Sequence, residues 1–233
     1  MSGIGPGDDR DRLIDSWYCE HYNSVAATAD GSLFHRYVHR QMERPYPPSR
    51  AFGQVLEVGG HDGEHLPFVT HRFNSYVLTD LRPPRPPARW ARDPRVTTVV
   101  CDVHQLPFDD RRFDRVIATC LLHHVDNPLR VLHELRRVVR PASGRLTLLL
   151  PTDPGLAYVI GQRLTSGRAA KRLGVRDRHR LVTALDHRNH FRSLMAQLQY
   201  VFRKDRLRLV WRPFGLPGQN HNAFVVAHVR RAG

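Results

Sequence analysis

The chain has 233 residues, 41% of them hydrophobic and 25% charged, an ordinary globular composition with length enough for one α/β domain and some added segments. Lys and Arg outnumber Asp and Glu by 36 to 22, for a formal net charge of +14, which suits an anionic partner, nucleic acid included. The apolar runs are too short to cross a bilayer and Met1–Arg10 lacks a signal-peptide core, which excludes a helical membrane protein and makes a cytoplasmic location the expectation.

Residues 1–10 are polar and glycine-rich, the composition of an unordered tail. From Arg12 to Met42 the pattern is helical, with Leu33, Phe34, Tyr37, Val38 and Met42 at helical spacing and Asp30 or Ser32 able to cap. Pro45, Pro47 and Pro48 end it. Strands are then predicted at Gln54–Val58, Ser75–Thr79, Val96–Val100, Asp114–Cys120 and Arg145–Leu150. Helices are predicted at Asp62–Phe73 and at Pro128–Arg140, the second capped by Asp126 or Asn127 with Pro128 at its first position. The prolines of Arg82–Pro87 forbid a regular helix there. After Pro151 residues 152–188 read as a basic, partly helical insertion. A helix at Asn189–Phe202 and strands at Leu207–Trp211 and Ala223–Val229 follow.

The short apolar runs lack polar alternation, as strands covered on both faces do. Alternating strand and helix imply parallel pairing with right-handed crossovers. The fold expected is α/β: a Rossmann-like, seven-stranded, mostly parallel sheet with helices on both faces. An N-terminal tail and helical lid occupy 1–51, and the core occupies 52–233 with a substrate-side insertion at 152–188. Cys19, Cys101 and Cys120 form no Cys-x-x-Cys pair and are odd in number, which reads as buried free thiols rather than a disulfide framework or zinc site.

The first strand runs into Glu57-Val58-Gly59-Gly60-His61-Asp62-Gly63. Glycines at a strand-to-helix turn allow positive φ and close approach of a ligand, and a following helix offers free N–H groups. The P-loop is excluded because Gly-Lys-Ser/Thr is absent, and G-x-G-x-x-G fails at its second glycine. The segment resembles motif I of class I S-adenosylmethionine (SAM) dependent methyltransferases, E-x-G-x-G-x-G. Glu57, Gly59 and Gly63 match; His61 stands at the middle glycine, with Gly60 beside it. The resemblance continues at the next strand tips. It implies that Asp80, followed by Leu81, takes the ribose, and that Asp102 and Val103 hold the adenine. Cys120-Leu121-Leu122-His123-His124 resembles the Leu-His-His segment of the family's small-molecule branch, and Leu132, Glu134, Arg137, Val138 and Pro141 match the helix after it. The matched region covers roughly 52–151.

The resemblance thus implies SAM as cofactor, converted to S-adenosylhomocysteine. The cofactor set is Glu57, Gly59, Gly60, His61, Gly63, Asp80, Leu81, Asp102, Val103 and Cys120. His124, His123 and Asp153, at the carboxyl ends of strands four and five, are the catalytic candidates. His187 and His190 read as surface or cap residues, and no group has metal-ligand spacing in the sequence, so no metal is predicted. The expected partner is a small molecule, methylated on O or N in specialised biosynthesis. An anionic group on it would suit Arg163, Arg168, Lys171, Arg172, Arg176, Arg178, Arg180 and Arg188, which equally suit a solvated helix face. Trp17, Tyr18, Tyr22, Phe34 and Tyr37 form an aromatic lid or pack the N-terminal segment onto the core. The alternatives are an RNA base methyltransferase, for which no RNA-binding module or Asn/Asp-Pro-Pro-Tyr/Phe tetrapeptide is present, and a non-catalytic SAM-binding subunit. Lysine occurs only at 171 and 204 and no block of five like charges exists, so the arginine excess identifies no ligand by itself. Oligomeric state leaves no mark in the sequence.

Overall fold

A computed structural model describes residues 6–25 and 33–233. Seven strands form it: β1 (Ala51–Val58), β2 (Arg72–Asp80), β3 (Val96–Val100), β4 (Arg115–Thr119), β5 (Arg145–Pro151), β6 (Arg206–Arg212) and β7 (Phe224–Arg230). They make one sheet in the order β3-β2-β1-β4-β5-β7-β6. All neighbours pair in parallel except β7, which runs antiparallel to β5 and β6. The strand order reverses direction between β1 and β4, the place where open α/β sheets bind ligands beyond their carboxyl ends. The register makes this edge nearly level. Val58 pairs with Thr79 and with Ala118, Asp80 with Val100, and Thr119 with Leu149.

Alternation along each strand divides the core between the two faces. Leu56, Val58, Val116, Leu146, Leu148 and Val225 face one side, where α4 (Pro128–Val138) and α8 (Phe191–Val201) supply Leu132, Leu135, Leu194 and Leu198. Val55, Ile117, Leu149 and Val226 face the other, beneath Val38 and Met42 of α2 (Leu33–Glu43). A third cluster joins Ile14 and Trp17 of α1 (Pro6–Trp17) to Ala169, Ala170 and Val182. These last belong to α6 (Ser166–Arg172) and α7 (Arg176–Asp186), which with α5 (Leu156–Leu164) build the insertion after β5. No helix among the described residues is long and apolar enough to cross a membrane.

Several local expectations need correcting. No helix forms over Asp62–Phe73; the segment is a series of turns with one 3₁₀ turn at Leu66–Phe68. Pro67 lacks the N–H a helix interior requires and clashes with the preceding turn, and β2 already begins at Arg72. Residues 6–10 are not an unordered tail but the start of α1, whose proline at the first position costs no hydrogen bond. The helix from Pro128 stops at Val138, since Val139 turns extended and bridges Phe113. Asn127, rather than Asp126, caps it by accepting from the Arg130 N–H at 3.0 Å. The capping candidates Asp30 and Ser32 lie outside the described residues. The proline-rich crossover is irregular as expected, ending in the single-turn helix α3 (Ala88–Ala91). All three cysteines are free, but Cys19 is exposed rather than buried and Cys101 and Cys120 are half-buried.

Candidate active site

The turn after β1 is held by left-handed backbone at three places: Gly59 (φ 62°), His61 (φ 46°) and Gly63 (φ 76°). Gly60 is needed for a different reason: a Cβ there would lie 2.3 Å from a Leu78 methyl and 2.9 Å from the Glu57 carboxyl carbon. The Asp80 carboxylate ties this turn to the tip of β2. Its Oδ2 accepts from the His61 N–H at 2.9 Å and its Oδ1 from the Arg82 N–H at 3.1 Å. Each oxygen keeps acceptor capacity for a further donor. His61 sets its ring 4.9 Å from Tyr22, edge to face. Its Nδ1 is 3.8 Å from both Asp62 and Glu64 and makes no hydrogen bond. Glu57 is buried and accepts from Tyr76 Oη at 2.5 Å; burial raises its carboxyl above the ordinary range.

Asp102 stands beyond the tip of β3, accepting from the His104 N–H at 2.9 Å and lying 2.7 Å from His104 Nδ1. Partial burial pushes its pKa up, but the His104 contacts outweigh that and hold it below the ordinary value. Val103 sits beside it, and the exposed Leu81 follows Asp80 on the same wall. Beyond β4, Cys120 is left-handed (φ 51°). Burial, with Glu64 adding to it, pushes its thiol up to about 12, so it is a neutral wall and not a nucleophile.

Except for Gly63, the expected cofactor residues line a cavity of about 820 Å³, which has room for a nucleoside-sized cofactor and a small acceptor together. Trp17, Tyr18, Tyr22 and Phe34 from the N-terminal segment line it, Trp17 also packing against the insertion, whereas Tyr37 packs on Phe224. The end of the cavity beyond β4 is polar. His124 and His187 line it; His123 and Asp153 stand behind them. The ring centroids of His123 lie 3.9 Å from His124 and 4.5 Å from His187. Asp153 Oδ2 is 2.8 Å from His187 Nδ1. Asp186 Oδ2 lies 2.9 Å from His124 Nδ1 and accepts from Tyr18 Oη at 2.9 Å. Burial drives Asp186 upward, yet His124 and Tyr18 together keep it below the ordinary carboxylate value. Burial holds His123 well below the ordinary histidine value, with His124 and His187 adding to the effect.

His187, expected as a surface or cap residue, is the C-cap of α7 but is half-buried and lines the cavity, while His190 is exposed at the N-cap of α8. What brings His187 here is a clamp that no local pattern announces. The His123 carbonyl accepts from Arg188 and Asn189 N–H groups, and Asn189 Nδ2 donates to the carbonyls of Leu122 and Val125. Of the insertion's basic residues, Arg178 binds Ser16 and Glu20, and Arg188 pairs with Asp126. The others named above are exposed on their helices.

A second polar group carries no sequence signal beyond its histidines. Glu43, at the end of α2, is buried and takes both Nη groups of the fully buried Arg115, one at 2.9 Å. Burial would raise the Glu43 carboxyl; Arg115 and His65 hold it far below its ordinary range. From Glu43 Oε1 a chain runs to His65 Nε2 (2.7 Å), His65 Nδ1 to His39 Nδ1 (2.8 Å), and His39 Nε2 to His35 Nε2 (3.0 Å). Because the carboxylate only accepts, one direction of donation fits: His65 donates to Glu43, His39 to His65 and His35 to His39. His35, His39 and His65 all line the cavity.

Residues 56–147 match the family model described as a methyltransferase domain. The curated protein 27-O-demethylrifamycin SV methyltransferase from Amycolatopsis mediterranei (strain S699) is 31% identical over 121 residues, 47% of this chain and 44% of that protein. The chain matches less than half the length of such curated relatives. Among solved structures, the N-methyltransferase NodS from Bradyrhizobium japonicum WM9, in complex with S-adenosyl-L-homocysteine, superposes with a TM-score of 0.66 at 16% identity, over 95% of this chain and 99% of that one. The Burkholderia thailandensis 1,6-didemethyltoxoflavin-N1-methyltransferase, with bound 1,6-didemethyltoxoflavin and S-adenosylhomocysteine, gives 0.59 at 17% identity, over 100% and 93%. Residues 56–147 thus match a methyltransferase domain, and the strand order of the whole sheet is that of the class I SAM-dependent methyltransferase fold.

Proposed function

We propose that the chain transfers a methyl group from SAM to an oxygen or nitrogen of a small molecule, in specialised biosynthesis. The observation that carries this reading is the level sheet edge. It sets Gly59, Gly60, His61, Asp80 and Asp102 along one stretch of a single cavity, and leaves the stretch beyond Cys120 for an acceptor. SAM supplies an electrophilic methyl on a sulfonium sulfur. Asp80 binds the ribose hydroxyls, Asp102 and Val103 the adenine, and Glu57, Gly59, Gly60, His61, Gly63, Leu81 and Cys120 shape the remaining contacts. Residues 1–51 serve as the lid and 152–188 as the acceptor side.

For a hydroxyl acceptor, His124 takes the proton, with Asp186 Oδ2 2.9 Å from its Nδ1. His123 and Asp153 do not line the cavity; they position His124 and His187. Of the insertion's arginines Arg188 lines the cavity, paired with Asp126, so an anionic group on the acceptor would meet it there, while Arg163, Arg168, Arg172, Arg176 and Arg180 lie on exposed helix faces. The RNA reading is favoured only by the +14 charge. It requires binding that weakens steeply as salt rises.

Isothermal titration with SAM and S-adenosylhomocysteine tests the cofactor site. The wild type should bind both, and Asp80→Ala should lose about thirtyfold or more, the equivalent of one or two hydrogen bonds to a charged group. No binding heat, with Asp80→Ala no different from wild type, overturns the reading. Methyl-labelled SAM offered with a source-cell extract should yield a labelled small molecule by mass spectrometry.

A further inference from the structure

The histidines at the acceptor end form a set that proton transfer uses only in part. Among the described residues, His123, His124 and His187 alone group with the spacing of metal ligands, one nitrogen of each lying within 4.8 Å of the others. Their ring centroids are 3.9, 4.5 and 5.1 Å apart. His123 is only 4% exposed, and its buried Nδ1 has no hydrogen-bond partner. A buried polar atom left without a partner needs an explanation, and an unoccupied ligand position is one. His124 Nδ1 is near Asp186 but out of line for a hydrogen bond. His187 is oriented by Asp153 at 2.8 Å from its Nδ1. That arrangement places the proton on Nδ1 and the lone pair on Nε2, as carboxylates do for metal-binding histidines.

We propose that His123, His124 and His187 bind one divalent cation of the zinc class, with Asp153 orienting His187 and an open coordination position facing the cavity. Imidazole nitrogen selects zinc, cobalt, nickel or copper over magnesium and calcium, which take oxygen. Three protein ligands with a fourth position open is the pattern of a reactive rather than a structural site. Zn–N bonds of about 2.0–2.1 Å put neighbouring tetrahedral nitrogens about 3.4 Å apart, so the rings need close by only about 1.5 Å at the widest pair, within reach of small side-chain rotations. The clamp from Arg188 and Asn189 to the 122–125 loop holds the two ligand-bearing segments together without the ion. An oxygen, nitrogen or sulfur atom of the acceptor would complete the coordination. This last step rests on the methyl-transfer reading; the cation site itself does not. A cation and a proton compete for His124, so in the loaded protein a bound cation, which acidifies its ligands, takes over activation of the acceptor.

The test uses the full chain, stripped with chelator and titrated with Zn²⁺ and with Co²⁺, with SAM titrated in parallel. One equivalent of Zn²⁺ should bind, and Co²⁺ should give the intense visible bands of low coordination. His187→Ala and His123→Ala should weaken Zn²⁺ binding about a hundredfold or more, and Asp153→Asn by about ten- to a hundredfold. Retained SAM binding certifies the fold of each variant; should His123→Ala lose it, the half-buried His187→Ala and Asp153→Asn decide. Failure of the wild type to bind Zn²⁺, or equal affinity in His187→Ala, overturns the proposal. Either result leaves the SAM titration, and with it the methyltransferase reading, to stand or fall separately.

Discussion

At position 61 the backbone needs a left-handed residue, and the chain supplies histidine where the family pattern has glycine. An L side chain there costs about 1–2 kcal/mol, offset by the His61 N–H bond to Asp80 and the ring contact with Tyr22. Only the ring contact is lost in His61→Gly, and the backbone strain goes with it, against which the freer unfolded chain costs about 0.4–1 kcal/mol. These terms nearly cancel, so His61→Gly should leave stability close to wild type. His61→Val should cost about 2 kcal/mol or more, because a β-branched residue at positive φ is a true outlier. Urea denaturation of both variants decides: if valine is tolerated as well as glycine, the strain assigned to this turn is absent. The same pair in a SAM titration reports whether the imidazole touches the cofactor.

Among the elements, α2 is fastened to the sheet by one buried ion pair, Glu43 with Arg115. Arg115 also stacks its guanidinium 4.0 Å from the Tyr46 ring. Removing one partner of such a pair strands the other charge and costs about 3–5 kcal/mol, while replacing both by apolar groups costs far less. Glu43→Leu and Arg115→Met should therefore each be strongly destabilising by thermal or denaturant melt, and the double variant should recover much of the loss. Additive losses would mean that the two residues act independently. Nothing local marks this pair: a charged residue opening an apolar strand reads as solvated, and its partner comes from a distant helix. The strands themselves were legible because runs such as Leu146–Leu150 are apolar on both faces, and the tips carrying Asp80 and Asp102 were legible because they end those runs. The segment after Gly63 misled because Leu66, Phe68 and Phe73 suggest an amphipathic helix while Pro67 forbids one. His187 was illegible for another reason: its place depends on the Asn189 clamp, a tertiary contact with no periodicity. The histidine chain from Glu43 to His35 shares that reason.

Across the whole molecule, histidine rather than carboxylate sets the response to mild acid. Burial, with the Arg115 charge second, lowers both His71 and His228 to about 4. Burial also holds His39 and His123 well below the ordinary 6.5. In the unfolded chain each takes a proton near 6.5; in the fold it does not until the lower value is reached. Between these limits the unfolded state binds more protons, so stability falls as pH falls, by up to about 1.4 kcal/mol per pH unit for each such histidine. Glu43, depressed by Arg115 against the effect of burial, adds its own loss only below its unfolded value of about 4.5. The melting temperature should therefore drop steadily from pH 7 to pH 4.5. Surface repulsion in a chain of net charge +14 would give a similar trend, but exposed charges are screened by salt and buried groups much less. A slope that persists at high salt and becomes shallower in His228→Gln identifies the buried histidines as its source. A slope that salt abolishes assigns it to the surface.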